Sequence, residues 1–365
     1  MKKVVLGISG GVDSSVAAIL LKKQGYEVIG LFMRNWDSGV NNDYLGNPNL
    51  NNNICPQEQD YNDALEVCER IGIPLHRIDF VKEYWDYVFT YFLDELKQGR
   101  TPNPDIMCNK YIKFDQFAKE AEKLGADYIA TGHYAKVAIL DNGRYAVCKS
   151  KTDKKDQTYA LYNLTQQQLS KTLMPVGEYE KDEVRSIAEK AGLLTAHKPD
   201  SQEICFIPDN NYAKYIEQES GKIFPEGNFV DINGNVIGRH KGIIHYTIGQ
   251  RKGLNLSMGR PVFVLAIRPE TNEVVIGDNK DTFHSELAAS KINLMSVSSI
   301  DAPLKVNAKI RYSHKGAPCT VEMTGEDEIR CIFDEPVRAI TPGQAIVFYN
   351  GDIVVGGATI DRVLD

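Results

Sequence analysis

The stretch SGGVDSS, Ser9–Ser15, follows the apolar run Val4–Ile8 and leads into a helical pattern from Ser14 to Gln24 that Gly25 closes. A short, unbroken apolar run reads as a strand buried on both faces, so the junction is a strand end feeding a helix start. Such a junction presents backbone N–H groups and the positive end of a helix dipole, which together seat anionic oxygens. Gly10 and Gly11 let the backbone approach a phosphate closely, and Ser9, Ser14 and Ser15 offer hydroxyls. Asp13 makes sense beside phosphates if a magnesium ion rides on them. What the loop lacks is the lysine of G-x-x-x-x-G-K-[ST], which reaches the β- and γ-phosphates. Its absence suggests attack at the α-phosphorus, with pyrophosphate held and released as one unit. The bland alternative is a tight turn and nothing more; Asp13 and three serines weigh against it.

Outward from this loop the first third alternates strand and helix. Strands are expected at Lys3–Ile8, Glu27–Met33, Pro74–Phe80 and Asp127–Thr131, and helices at Gln57–Ile71, Val81–Leu96 and Lys113–Leu124. That alternation predicts a parallel sheet covered by helices. The Asn-rich Arg34–Ile54 has no hydrophobic periodicity and reads as a long loop. Two short strands flank Asp141-Asn142-Gly143, and Gln157–Leu169 and Lys181–Ala191 read as helices. From about Ala213 the helical period fades, and Asn233-Gly234 and Asn350-Gly351 signal tight hairpins. The expected organisation is an α/β domain over 1–212, a small mainly-β domain over 213–279 and an antiparallel β-barrel over 280–365.

The chain has 365 residues, 42% hydrophobic and 25% charged, which suits a soluble globular protein of two or three domains. No apolar run approaches the roughly 20 residues of a membrane helix, and a cytoplasmic location is the expectation. Seven cysteines with no C-x-x-C spacing signal neither a disulfide framework nor a zinc knuckle, and no resident metal site is expected. A formal charge of −7 argues against non-specific coating of nucleic acid but leaves room for a local basic face.

Two further stretches carry chemistry. In TPNPDIMCNKYIKF, Thr101–Phe114, the prolines are expected to hold Asn103 and Asp105 on an extended loop, and Asp105 stands three residues before Cys108 at the entry to the next helix. In DSQEICFIP, Asp200–Pro208, Cys205 lies among turn formers. Either cysteine alone reads as a small buried hydrophobe. Beside an adenylating loop they gain a purpose, because activation of a carbonyl oxygen prepares it for displacement by sulfur.

SGGVDSS resembles the S-G-G-x-D-S signature of the N-type ATP pyrophosphatases, the PP-loop group. Together with TPNPDIMCNKYIKF, ATGHYA, AGLLTAHKPDSQEICFIP and HYTIGQRKGL, it makes the whole chain similar to the tRNA-specific 2-thiouridylases. That resemblance implies ATP as the activating nucleotide, with Gly7, Ile8, Ser9, Gly10, Gly11, Val12, Asp13 and Ser14 at its phosphates and Met33 and Gly132 on the adenosine side. It implies that Asn103, Pro104 and Asp105 face the wobble uridine, that Cys108 is the nucleophile, and that Cys205 carries a persulfide, with Asp105 as acid or base. It also implies tRNA contacts at His133, Lys155, Asp156, Gln157, Arg311, Tyr312 and Gln344. The sulfur donor would be a relay protein or a cysteine desulfurase. Two thiols suit this chemistry: a persulfide carries zero-valent sulfur, and delivering it as sulfide takes two electrons from a second thiolate, leaving a disulfide.

Independently of the resemblance, Val236–Arg260 holds Arg239, Lys241, Arg251, Lys252 and Arg260 and no acidic residue. It reads as an RNA-facing surface or as a solvated loop face. Three rivals stay open: a PP-loop ligase or amidotransferase acting on a small molecule, a non-catalytic tRNA-binding protein, and an iron–sulfur cluster on Asp105, Cys108 and Cys205. A redox or metal pair at Cys55 and Cys68 is a lesser option.

Overall fold

In the computed structural model, the structure describes residues 1–36, 56–200, 213, 215–217 and 224–365. Cys205, Cys55 and nearly all of the Asn-rich loop lie outside the described residues. The chain divides into two compact units. The first comprises Met1–Phe89, Asp105–Asn210 and Asp352–Val354; the second comprises Thr90–Pro104, Asn211–Gly351 and Val355–Asp365.

The first unit is built on a five-stranded sheet of β1 (Lys3–Gly7), β2 (Glu27–Arg34), β3 (Leu75–Asp79), β4 (Tyr128–Ala130) and β7 (Thr172–Leu173). The order is β3-β2-β1-β4-β7, and every pairing is parallel. β1 lies in the interior of the sheet, which is why Val4, Val5 and Leu6 are fully buried and the run shows no polar alternation. Leu6, Val16, Leu21, Phe32, Val67 and Ala188 belong to the core that joins the sheet to its helices. The α/β layer expected from the alternation is present. Its fifth strand, β7, is only two residues long, too short to leave a periodic signal. The hairpin β5 (Ala135–Ile139) and β6 (Tyr145–Lys149) flanks the predicted Asn142-Gly143 turn, with Gly143 at φ 78°.

Two helical expectations need correction. Gln157–Leu169 is not one helix: it is a 3₁₀ turn, Thr158–Leu161, followed by a short helix, Gln166–Ser170, capped by Thr165 and Gln168 in a reciprocal pair of hydrogen bonds. The helix expected from Lys113 begins nine residues earlier, at Pro104, and winds as Pro104–Met107, a wide π-type segment Cys108–Gln116, and Phe117–Lys123. Pro104 does not block it, because proline at the first helical position gives up only an N–H that would have no intrahelical acceptor.

The second unit holds two β structures. A four-stranded sheet, β10-β11-β8-β9, is made of β8 (Gly227–Val230), β9 (Val236–His240), β10 (Phe263–Arg268) and β11 (Glu273–Gly277). The Asn233-Gly234 turn joins β8 to β9, with Gly234 at φ 84° and the Asp231 carboxylate accepting from the Asn233 and Asn235 amides. The last six strands, β12 (Phe283–Leu294), β13 (Leu304–Lys309), β14 (Ala317–Gly325), β15 (Glu328–Arg338), β16 (Ala345–Asn350) and β17 (Ile353–Val363), run β12-β15-β14-β13-β16-β17 and close through a β12–β17 pairing. Leu287, Val321, Ile329, Ile346 and Ile360 fill this antiparallel barrel.

Candidate active site

The glycine loop lies between β1 and the helix Val12–Lys23. That helix starts at Gly11 with no side-chain cap, so no side chain at the N-cap satisfies its first amides. Ser14 and Ser15 turn their hydroxyls onto the Gly11 carbonyl, at 3.1 and 2.7 Å, and Ser14 Oγ also accepts from the Ser9 amide at 3.2 Å. Gly10 sits at φ 71°, and a Cβ there would lie 2.2 Å from the Asp60 carbonyl oxygen. At Gly132 a Cβ would lie 2.8 Å from the Ser14 amide nitrogen, and at Gly7 it would meet Met33 Cε at 3.3 Å. Gly7, Gly132 and Met33, expected around the nucleotide, are therefore neighbours of the loop. The uncapped amides fit an anionic oxygen, while the glycines at 10 and 132 let the backbone of Asp60 and of Asp13–Ser14 pack directly against them.

The fit to a protein-held magnesium is poorer. The Asp13 carboxylate is held by Lys181 Nζ at 2.7 and 2.9 Å and by the Tyr134 hydroxyl at 2.7 Å. Burial first, and the Asp13 charge second, push the Tyr134 phenol well above its ordinary pKa, so it stays a proton donor to Asp13. Among the described residues no group of three or more His, Cys, Asp or Glu side chains is placed to hold a metal ion.

Lys181 is the cation that pairs with the loop's aspartate. Only 13% of its side chain is exposed, and it is shared with Asp200 at 2.8 Å. Asp200 in turn accepts from Lys155 at 2.7 Å and Arg185 at 3.1 Å. Burial works to raise the Asp200 pKa, but the hydrogen bonds from Lys155 and Lys181 outweigh it and hold the carboxyl at about 2. A second lysine, Lys198, donates to the Gly10 carbonyl at 3.2 Å and to Asp60 at 2.7 Å. Sequence reading missed Lys181, Lys198 and Asp60. Lys181 stands 168 positions from Asp13, and no local pattern marks the pair.

Cys108 opens the wide helix and is 7% exposed, while Asp105, one turn earlier, is exposed. Neighbouring Asn109 is buried and donates to the Ala160 carbonyl at 3.0 Å. Phe114, on the same helix, stacks on His133 at 5.9 Å between centroids, and His133 follows Gly132. The fold thus brings the helix of Cys108 and the glycine loop to the same stretch, 131–134. Cys205 lies outside the described residues. Cys68 is buried against β2, and burial pushes its thiol up to about 12, so it is a packing residue.

The expected tRNA residues of this unit are mostly engaged within it. His133 is buried, its Nδ1 lies 2.8 Å from the Thr131 hydroxyl, and burial, then the Lys113 charge, pull its pKa well down, so the ring is neutral. Asp156 is buried and accepts from Thr158 at 2.6 Å. Gln157 accepts from the Tyr134 amide at 2.8 Å. Lys155 is partly exposed.

In the second unit, Asn103 is partly exposed and Pro104 buried. Tyr312 is 49% exposed, Arg311 donates to the Arg338 carbonyl at 2.9 Å, and Gln344 donates to the carbonyls of Thr101 and Pro102. Within the basic stretch Arg239, Lys241, Arg251, Lys252 and Arg260 are all exposed; Arg239 binds Asn228, and Arg260 pairs with Asp278.

Residues 2–209 match a family described as "tRNA methyl transferase HUP domain", residues 213–278 its "PRC-barrel domain" and residues 284–360 an "Aminomethyltransferase beta-barrel domain". The tRNA-specific 2-thiouridylase MnmA of Lachnoclostridium phytofermentans is 57% identical over 360 residues, covering 99% of each chain. Those of Clostridioides difficile and Carboxydothermus hydrogenoformans are 53% and 49% identical, covering all of this chain and 99% and 98% of theirs. Among solved structures, a 4-thiouridine synthetase in complex with RNA and bound ATP overlaps 60% of this chain and 50% of its own, at 19% identity and a TM-score of 0.35, too loosely to carry an argument. Among the described residues no helix is long and apolar enough to cross a membrane. With identity near one half over its full length to these relatives, the chain belongs to the tRNA-specific 2-thiouridylase family.

Proposed function

We propose that this chain replaces the C2 oxygen of the wobble uridine of tRNA with sulfur, as a sulfurtransferase that consumes ATP. The observation that carries the reading is the uncapped Gly11 helix start, packed against Gly132 in the stretch 131–134 that also packs the helix of Cys108. Bound ATP supplies the adenylyl group that makes the uracil oxygen a leaving group. Gly7–Ser14 hold the phosphates, Met33 and Gly132 border the adenosine side, and magnesium arrives as the nucleotide's own counter-ion. The 2-thiouridylases match this chain along its full length, which favours sulfur transfer over the methyl transfer that the name of the matching domain family suggests.

Asn103, Pro104 and Asp105 receive the flipped base. Cys205 carries a persulfide whose terminal sulfur bonds to C2 as AMP departs. The Cys108 thiolate then attacks the Cys205 sulfur, the bond to the delivered sulfur breaks, and a Cys108–Cys205 disulfide remains for an external thiol to reduce. Asp105 serves as acid or base. Lys155, Arg311, Tyr312 and the basic stretch grip the RNA, and His133, Asp156 and Gln157 shape the floor beneath it. The sulfur donor is a relay protein or a cysteine desulfurase, the setting is the reducing cytoplasm, and the working domains are 1–212, 213–279 and 280–365.

The test incubates the protein with unmodified tRNA, ATP, magnesium and a persulfide source, digests the RNA and searches for 2-thiouridine by mass. The product is expected with the wild type and absent with Cys108→Ser or Cys205→Ser, both of which retain tRNA binding. Substantial thiolation by either variant would overturn the two-thiol scheme. Turnover that requires iron would favour a cluster instead.

A further inference from the structure

The helix that carries Cys108 presents a second feature to solvent. Lys110 and Tyr111, two and three positions after Cys108, are both partly exposed, and the Lys110 ammonium lies over the Tyr111 ring, 5.1 Å from its centroid. Tyr87, from the helical run Trp85–Phe89, stacks on Tyr111 with centroids 5.4 Å apart and planes 24° from parallel. All three residues belong to the first unit.

Core packing does not account for Tyr87. Its neighbours Tyr84, Val88 and Phe89 are 1%, 0% and 0% exposed and supply the buried side of the run, whereas Tyr87 is 44% exposed. A lone exposed tyrosine would need no explanation. Here two rings are held nearly parallel, a cation sits on one of them, and the helix is the one that bears a proposed reacting thiol. A ring already stacked on a neighbour has little rotamer freedom left to lose when something planar settles on it. Lys110 and Lys113 add two positive charges within the same helical segment.

The occupant that suits a stacked aromatic face beside lysines is an unpaired nucleobase on its phosphate backbone. The reaction supplies one, because a uridine that swings out of a loop to be thiolated leaves the adjoining base without its stacking partner. We propose that Tyr87 and Tyr111 form a stacking platform for an unpaired nucleobase of the substrate tRNA next to the modified uridine, with Lys110 at the adjacent phosphate. This rests on the thiolation reading above for its substrate, a tRNA loop with one base turned out. The platform binds and orients RNA and takes no part in bond making. Removing a ring on which one base stacks is expected to cost about 5- to 150-fold in tRNA affinity.

The experiment uses the full chain and unmodified tRNA carrying 5-iodouridine at one unpaired loop position at a time, the target uridine excepted. Near-ultraviolet light couples that base to an aromatic ring stacked on it, and mass spectrometry of the peptides names the ring. Tyr87 is expected to couple from a position adjoining the target, and Tyr87→Phe, which keeps the ring, to couple as well. Tyr87→Leu is expected to lose that coupling, to weaken tRNA binding about fivefold or more and to leave ATP affinity within about twofold. Lys110→Gln is expected to flatten the slope of log K against log salt by about 1. Coupling elsewhere on the chain with none at Tyr87 from any position would overturn the proposal. So would a Tyr87→Leu variant with a lower Tm and tRNA affinity like that of the wild type, which would make the pair a brace between two helical runs. A variant that binds tRNA normally, accepts sulfur from a small persulfide and accepts it poorly from a protein donor would also overturn it and give the rings to that donor. If Tyr87→Leu does not fold, the coupling maps of the wild type and Tyr87→Phe decide alone. Coupling at Tyr87 together with no 2-thiouridine would leave the platform standing and fault the thiolation reading.

Discussion

Lys181→Met tests the electrostatics of the nucleotide loop most directly. Lys181 is 13% exposed and lies within 2.9 Å of Asp13 and Asp200, which are 31% and 21% exposed. Removing one partner of a fully buried pair costs about 3–5 kcal/mol. Here the carboxylates keep some water, and Asp200 keeps Lys155 and Arg185, so about 2–3 kcal/mol is expected. For a domain of this size that corresponds to a fall in Tm of roughly 5–10 °C. The sign of a second effect is more telling. Without its ammonium, Asp13 leaves an uncompensated negative charge on the phosphate loop, and ATP affinity should fall about tenfold or more. Adding Asp13→Asn removes that charge, so the double variant should bind ATP more tightly than Lys181→Met alone and recover part of the lost Tm. Differential scanning fluorimetry and calorimetric ATP titration on the four proteins of the cycle read both effects. Strictly additive Tm changes, or ATP binding by Lys181→Met equal to wild type, would refute the coupling.

Gly10→Ala places a Cβ against the Asp60 carbonyl at a positive φ, so it should cost about 2 kcal/mol or more in stability and at least tenfold in ATP affinity, read by melting and titration. Arg251→Ala with Lys252→Ala removes two exposed cations; if each meets a phosphate, tRNA affinity falls and the slope of log K against log salt flattens by about 2, whereas an unchanged slope assigns them to a solvated face. Asp200 has its folded pKa depressed to about 2, so the stability it adds through its ion pairs is present above its unfolded value near 4 and is lost as pH falls from about 4 towards 2. The Tm gap between wild type and Asp200→Asn should therefore narrow over that window; a gap that stays constant or widens there would contradict it.

Local rules carried a large part of the outcome. The run Val4–Ile8 and the following SGGVDSS specify a strand, a turn and a helix start from adjacent residues alone, and Gly10, Gly143 and Gly234 occupy the positive φ their turns require. The short-range reading failed where a residue type has two meanings by position. Pro104 breaks a helix interior but opens a helix at its first residue, and only the surrounding packing decides which applies.

The chain's own spacing determined the layer type and the glycine turn between β1 and its helix, because those depend on periodicity and backbone freedom over a few residues. Tertiary structure alone decided that Lys181 neutralises Asp13 across 168 positions and that Gln344 holds Thr101 across 243. Such pairs follow from strand order and barrel closure. A lysine or glutamine bears no local mark of the carboxylate or carbonyl that the fold will bring within 3 Å of it.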